Sequence, residues 1–145
     1  MSQGLPTFVQ ALAVLALQPF SELLRTELTA FATGRAELSL PVRRVLTDEH
    51  GSVHSGVISY AVDSAITFAG GSVLGPGVVA SGLHIQHVRA ARGDSIRAVA
   101  EVVTVSGDDA VCRCDVLVCG AGVEFVCAVA LGSVRRTVTG PVTEP

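Results

Sequence analysis

The sequence predicts an α+β protein in which one curved antiparallel sheet packs around one apolar helix. Two segments with strand-like alternation precede a long apolar helix, and about four strand-like segments follow it. Strands grouped on either side of one helix, rather than alternating with helices, favour this class over a parallel α/β arrangement. The 145 residues are enough for a single domain, so we assign residues 1–145 to one domain, with its core at about 25–135.

The N-terminal part is predicted to form a helix followed by two strands. Apolar side chains recur at helical spacing over residues 5–17, so the first 20 residues hold an N-terminal helix, which Pro19 ends. Ser21 is placed to cap a short turn at residues 22–24. Alternation over residues 28–32 and 36–42, with a turn at Thr33 and Gly34, predicts two strands, and residues 47–52 form a polar loop.

Residues 54–69 form the long central helix of this prediction. Its apolar residues cover most of the circumference, which is typical of a helix buried on all sides. Gly70 and Gly71 are predicted to end the helix, and residues 72–77 to form a loop.

The C-terminal half is predicted to consist of strands. They cover residues 78–89, 95–105, 110–119 and 124–134, with turns at 106–109 and 119–122 and a frayed tail at 140–145. One sheet with one helix leaves an open strand edge and an uncovered apolar face. We therefore expect a homo-oligomer, either a dimer with its sheets joined edge to edge or a dimer of such dimers. The N-terminal helix is expected to cover part of the pocket or of the interface.

The composition argues against several classes of protein. Hydrophobic residues make up 49% and charged residues 16%, the opposite of a disordered chain. The net charge is −3 and no run of arginines exceeds two, so we predict no nucleic-acid partner. The apolar run at residues 8–17 is too short to span a bilayer, and residues 1–4 lack the basic start of a secretory signal. Four cysteines without a C-x-x-C pair suit reduced thiols, so we expect a cytoplasmic protein without a membrane partner.

Asp63 is the residue that breaks the apolar pattern. It is the only Asp, Glu, Lys or Arg between His50 and Val88, and it lies in the middle of the predicted central helix. A carboxylate there is costly unless it is hydrogen-bonded or lines a cleft. A structural Asp bound to a neighbouring hydroxyl or to a partner subunit's amide is one interpretation. The other is a partly desolvated acid that acts as a general base or nucleophile.

The loop that enters this helix, residues 51–56, is rich in small residues. Small side chains at the start of a helix leave backbone N–H groups uncovered, and these donors, with the helix dipole, stabilise an oxyanion. Many helices begin at Ser or Gly only for capping, so the signal gains weight from Asp63 two turns further along.

These residues resemble the signature of hotdog-fold acyl-CoA thioesterases of the phenylacetic-acid-degradation type. The family pattern is Asn-x-x-Gly-x-x-His-Gly-Gly with an acid nine residues after the His. The matching positions here are Asp48, Gly51, His54, Ser55, Gly56 and then Asp63 and Thr67. Residues 83–94 are similar to the family's strand that ends in an L-R-P-A-R-x-G-D turn. The resemblance covers about residues 25–135 and implies a hotdog fold.

The resemblance also implies roles for individual residues. Asp63 takes the place of the catalytic carboxylate, as general base or nucleophile, and His54 that of the loop histidine near the thioester. Thr67 matches a hydroxyl that helps to place the attacking water. Gly56 matches the second glycine, and Ser55 stands where the first glycine supplies the oxyanion donor.

Two further implications concern charge and assembly. Asp48 stands where the family has Asn, which adds an acid near the thioester. The family's site forms between two subunits, so His54 and Asp63 are expected to act across a dimer interface.

Arg89 and Arg92, beside Gly93, are the candidates for binding coenzyme A phosphates, with Arg97 as a further candidate. Ordinary solvated surface charge is the alternative. Coenzyme A enters only as part of the acyl-CoA substrate, and no separate cofactor is expected. His84 and His87 are three apart in a predicted strand and point to opposite faces, so we predict no metal.

Two other functions stay open. A hotdog hydratase or dehydratase carries an Asp-x-x-x-x-His dyad, whereas Asp48 and His54 are six residues apart here. A non-catalytic acyl-CoA-binding module would keep the pocket and lose the acid, whereas this chain keeps Asp63.

Overall fold

A computed structural model describes residues 4–137, and it confirms the predicted α+β class and the hotdog fold. Six antiparallel strands form one curved sheet around a long central helix, with an additional helix near the N-terminus. The elements are α1 (Phe8–Ala16), α2 (Pro19–Leu23), β1 (Glu27–Ala32), β2 (Arg35–Pro41), α3 (Ser55–Leu74), β3 (Val78–His87), β4 (Ser95–Ser106), β5 (Asp109–Gly120) and β6 (Val123–Arg136), with a short 3₁₀ turn at Arg44–Leu46. The tail predicted at residues 140–145 lies outside the described residues.

The strand order is β1-β2-β4-β5-β6-β3, and every neighbouring pair is antiparallel. The chain leaves the sheet after β2, runs through α3, and returns at the far edge as β3. As a result β3 pairs with β6 on one side and has no neighbour on the other side within residues 4–137.

The core lies between α3 and one face of the sheet. Val62, Ala65 and Ile66 on α3 are fully buried against alternating side chains of β2, β4 and β5. Two of those side chains are Cys112 and Cys114, whose thiols are free. Burial raises the pKa of the Cys112 thiol to about 11 and that of Cys114 to about 12, so both thiols stay protonated at neutral pH. They act as small apolar residues of the strand.

The prediction that Gly70 and Gly71 end the central helix is wrong. α3 continues to Leu74 and ends at Gly75, where the backbone takes a φ of 97°. Gly70 serves packing instead, because a Cβ there would lie 2.7 Å from the Cβ of Val134 on β6. By length and composition α3 qualifies as a membrane span, but 67% of that segment is buried inside the protein, as in the core helix of a globular domain.

α1 is shorter than the predicted 5–17 because Thr7 caps its start. Thr7 and Gln10 form a capping box, in which the Thr7 hydroxyl accepts from the Gln10 N–H and the Gln10 Oε1 accepts from the Thr7 N–H. α1 packs on the core through Ala11 and Leu15. Its remaining apolar side chains stay exposed, among them Val9 and Val14.

The two glycines of α3 give a matched stability test. Gly70→Ala is expected to destabilise the protein by about 1–3 kcal/mol, because the new methyl group meets the branched Cβ of Val134 and the helix must shift. Gly71→Ala, one residue later, meets only the Val78 Cγ2 at 3.4 Å and gains helix propensity of about 0.5–1 kcal/mol. Urea unfolding of both variants checks this, and equal stabilities would contradict the close approach at Gly70.

Candidate active site

The loop before α3 is shaped by Asp48. Its Oδ1 accepts hydrogen bonds from the backbone N–H groups of His50 (2.9 Å) and Ser52 (3.1 Å). The Asp48 N–H in turn donates to the Ser52 carbonyl, and Gly51 takes a φ of 81° that closes the turn. The hydrogen bond from the His50 backbone is the main cause that lowers the pKa of Asp48. Asp48 is thus an ionised, loop-forming residue.

His54 is the N-cap of α3. Its Nδ1 accepts a hydrogen bond from the Gly56 N–H at 2.8 Å. Since Nδ1 is an acceptor, the neutral ring carries its proton on Nε2 and presents a donor there. Glycine suits position 56 because a Cβ would lie 3.0 Å from the same Nδ1.

This cap changes the predicted set of oxyanion donors. The small residues of the entering loop predicted uncovered backbone N–H groups at the start of the helix, but the Gly56 N–H is already bonded to His54. Within residues 4–137 the Ser55 N–H has no partner. The donors that remain at the start of α3 are therefore the Ser55 N–H and the His54 Nε2–H.

A cavity of about 660 Å³ opens at this end of α3, and we call it the loop cavity. It is lined by residues of the entering loop, the start of α3 and the segment after β3: Asp48, Glu49, His50, Ser52–Ser55, Ile58, His87–Arg92 and Cys127. Arg92 Nε donates to the Ser52 hydroxyl at 3.2 Å, and the Arg89 guanidinium lies 5.2 Å from the centre of the Phe125 ring. Both arginines are exposed and line the same cavity as His54.

Gly93 and Arg97, the other two candidates for coenzyme A binding, lie outside the loop cavity. Gly93 allows close packing on β5, because a Cβ there would approach the Val118 Cγ1 to 2.5 Å and the Cys119 carbonyl oxygen to 2.7 Å. Arg97 forms ion pairs with Glu37 and Glu124 on the sheet. The structure therefore accounts for both residues without a ligand.

Asp63 lies in a second, larger space, the helix cleft, of about 1080 Å³. α1, α2, β1, α3 and residues 75–78 line this cleft, mostly with apolar side chains such as Val14, Phe31 and Phe68. Among residues 4–137, Asp63 is its only acidic lining residue and no lining residue is basic. Burial against this wall raises the pKa of Asp63, and no cation among residues 4–137 forms an ion pair with it. Asp63 remains an exposed residue of the single chain, so this desolvation is only partial.

Thr67 lines the helix cleft one turn beyond Asp63. Its hydroxyl donates to the Asp63 backbone carbonyl at 2.7 Å. The hydroxyl proton is therefore engaged, and the oxygen can still accept a hydrogen bond from a water molecule.

Tyr60, one turn before Asp63, belongs to a hydrogen-bond network that the sequence analysis did not foresee. Its hydroxyl contacts Ser21 and Thr26. The signal that could have found it is a tyrosine on the polar stripe of the central helix, but its partners lie more than 30 positions away in the sequence.

The loop cavity and the helix cleft share no lining residue. His54 and Asp63 are nine residues apart, which is about 13 Å along the helix axis. One carbonyl group cannot lie within hydrogen-bond reach of both. A single chain therefore presents two separate half-sites.

A metal centre is not evident in the described part of the chain, where no three His, Cys, Asp or Glu side chains converge. His87 lines the loop cavity, whereas His84 lies in a shallow depression with Arg113 and Leu131.

The role of Asp48 in the loop can be tested by comparing Asn and Ala. Asp48→Asn keeps an Oδ1 acceptor for the His50 and Ser52 N–H groups, so its melting temperature should stay close to that of the wild type at neutral pH. Asp48→Ala leaves both amides without that acceptor and should melt lower. Because the pKa of Asp48 is lowered, its charge contributes stability above the ordinary value of 3.8 and loses it as the pH falls. The gap between wild type and Asp48→Asn should therefore shrink in acid, and a gap that widens would contradict this role.

Comparisons with known proteins agree with the fold and the loop. Residues 50–118 match the family model of the thioesterase superfamily. No curated protein sequence matches the chain. A thioesterase family protein from Silicibacter pomeroyi superposes with a TM-score of 0.85 at 26% identity, covering 89% of this chain and 97% of that one.

Two further structures share the fold at lower identity. The PaaI protein of the Escherichia coli phenylacetic acid degradation operon has a TM-score of 0.76 at 21% identity over 87% of this chain and 89% of that one. A thioesterase from Haemophilus influenzae has a TM-score of 0.74 at 20% identity over 90% of each chain. Residues 50–118 thus resemble the thioesterase superfamily, and the shared architecture shows that the chain has the hotdog fold.

Proposed function

We propose that this protein is an acyl-CoA thioesterase that hydrolyses an acyl-CoA to a free acid and coenzyme A. The observation that carries the proposal is Asp63, a carboxylate without a cation partner among residues 4–137 in an otherwise largely apolar cleft. The mostly apolar lining of the cleft suits an acyl group, and the Asp63 carboxylate would lie beside that group. The superfamily match supports thioester hydrolysis as the reaction class.

Asp63 has two possible chemical roles, and both need its ionised form. As a general base it takes a proton from water, and the water oxygen attacks the thioester carbon. As a nucleophile its own oxygen attacks, and water later cleaves the resulting anhydride. In either case a C–S bond breaks and coenzyme A leaves as the thiolate, which then takes up a proton. Thr67 is suited to accept a hydrogen bond from the attacking water.

The start of α3 supplies the complementary half of the reaction. Attack on the carbonyl places negative charge on its oxygen, and preorganised donors lower the energy of that oxyanion. The Ser55 N–H and the His54 Nε2–H are such donors, and the N-terminal end of the helix dipole adds to them.

The two half-sites require a second copy of the chain. Within one protomer His54 and Asp63 are too far apart, so the thioester would lie between the loop cavity of one protomer and the helix cleft of its partner. The open edge of β3 is the natural joining surface, because its backbone groups have no neighbouring strand among residues 4–137. Val79 and Leu83 on this strand are exposed, which favours their burial in a dimer.

Arg89 and Arg92 are the residues that we assign to the phosphates of coenzyme A. Both line the loop cavity beside the proposed oxyanion donors, and an arginine fork matches a phosphate group. The four cysteines are all free thiols, which suits the reducing cytoplasm as the place of action.

The alternatives receive less support from the site. In a hydratase the acid and the histidine act as a dyad, but Asp48 holds loop amides and His54 holds the Gly56 N–H. A non-catalytic acyl-CoA-binding module has no use for a carboxylate that is costly to keep in the cleft.

Replacing Asp63 tests the proposal. Asp63→Asn keeps the shape and removes the base or nucleophile, so thiol release from acyl-CoAs should fall by at least about 100-fold. A panel of short, long and aromatic acyl-CoAs, measured with wild type and variant side by side, checks this. Wild-type turnover that does not respond to Asp63→Asn would contradict the catalytic role, and tight binding without turnover would favour the binding module.

The pH dependence and the stability of this variant provide its controls. Because burial raises the pKa of Asp63, the acid limb of wild-type activity should bend above the ordinary value of 3.8. The same shift means that ionised Asp63 costs stability above that pH, so Asp63→Asn should melt no lower than wild type at pH 7. A lower melting temperature would indicate a structural role for the carboxylate.

A further inference from the structure

The helix cleft has a polar corner that the proposed chemistry does not use. Ser21 on α2 is only 2% exposed, and its hydroxyl lies 2.7 Å from the Oε1 of Gln18 and 2.5 Å from the hydroxyl of Tyr60. The Tyr60 hydroxyl lies 2.9 Å from that of Thr26. Gln18, Ser21 and Tyr60 all line the cleft.

The directions of these hydrogen bonds follow from the proton count. A hydroxyl has one proton, and Ser21 donates its proton to Gln18 Oε1. Tyr60 must therefore donate to Ser21, and Thr26 must donate to Tyr60. In this arrangement the side-chain oxygen of Gln18 faces Ser21 and its NH₂ group lies on the other side.

The NH₂ group of Gln18 is left without a partner among residues 4–137. The same is true of Gln10, whose Oε1 accepts from the Thr7 N–H. Both glutamines line the cleft. The side-chain oxygen of each already accepts a hydrogen bond, so each offers a ligand its NH₂ group as a donor. A ligand that fills the cleft satisfies these donors only if it carries an acceptor, because an alkyl chain would displace water and leave them unpaired.

The charged residues of the cleft indicate which kind of hydrogen-bond acceptor a ligand would carry there. Within the described part of the chain no lining residue is basic, and Asp63 is an acid. A carboxylate on the ligand would lie near Asp63 with only neutral donors to hold it. An uncharged oxygen is the acceptor that this cleft favours.

We propose that Gln18 is a specificity-determining residue, which selects acyl groups that carry a hydroxyl or keto oxygen along the chain. This inference rests on the proposed thioesterase function. Tyr60 links the Gln18 corner to the turn of α3 that precedes Asp63, so the selected oxygen lies on the chain at a distance from the thioester carbonyl.

The test compares substrates of one length. The probes are decanoyl-CoA and decanoyl-CoAs that carry a hydroxyl or keto group at successive carbons. One net hydrogen bond corresponds to roughly tenfold, so wild type should hydrolyse at least one oxygenated substrate with about tenfold higher kcat/KM than decanoyl-CoA. Gln18→Met should bring the two within about twofold by slowing the oxygenated substrate only.

Matched variants separate selection from folding. Glu22 lies on the exposed side of α2, the helix that Gln18 precedes. Glu22→Met should keep the wild-type ratio of kcat/KM between the oxygenated substrate and decanoyl-CoA. Ser21→Ala releases the Gln18 amide and should lower the ratio in part. No preference in wild type, or an equal loss on both substrates in Gln18→Met, would overturn the proposal.

A binding measurement distinguishes this inference from the thioesterase proposal. Decyl-CoA thioethers with and without the oxygen cannot be hydrolysed, and calorimetry gives their Kd for wild type and Gln18→Met. A roughly tenfold preference that Gln18→Met abolishes would support the role of Gln18 even if no acyl-CoA is turned over. Equal Kd values for the two thioethers in wild type would overturn it.

Discussion

The packing of α3 against the sheet is the constraint on which the rest of the structure depends. Nearly every side of this helix is buried. Gly70, at the contact with Val134, lets the helix backbone pack closely against β6. Its N-terminus then faces the entering loop, and the one turn that carries Asp63 faces the space under α1 and α2. Donors and acid are therefore held on a rigid element, as catalysis by positioned groups requires.

The same packing keeps the donors at the helix N-terminus apart from the Asp63 carboxylate. A straight helix keeps its N-terminus and its middle about 13 Å apart over nine residues, and no side-chain rearrangement brings them together. A thioester needs donors and a carboxylate on either side of one carbonyl. The geometry of one buried helix is therefore the reason for proposing a site that two copies complete, with the open edge of β3 as the proposed joining surface.

Much of the fold and of the site could be predicted from the sequence, because the signals were local. Alternation marked the strands, and the isolation of Asp63 in an apolar helix marked the acid. The end of α3 was misplaced because Gly70 is required by its contact with Val134, a residue distant in sequence. The Gly56 amide was expected to be free, but the His54 ring turns back and binds it. The Gln18, Ser21 and Tyr60 network was missed for the same reason, since its members come together only in the tertiary structure.

Subunit complementation tests the shared site most directly. Asp63→Asn and His54→Ala each damage one half-site, so each protein alone should be nearly inactive in thiol release. When the two are mixed and allowed to exchange subunits, random pairing gives heterodimers with one intact site, and activity should rise to about a quarter of wild type. A mixture that stays as inactive as its components, with subunit exchange verified, would contradict a site built from two copies.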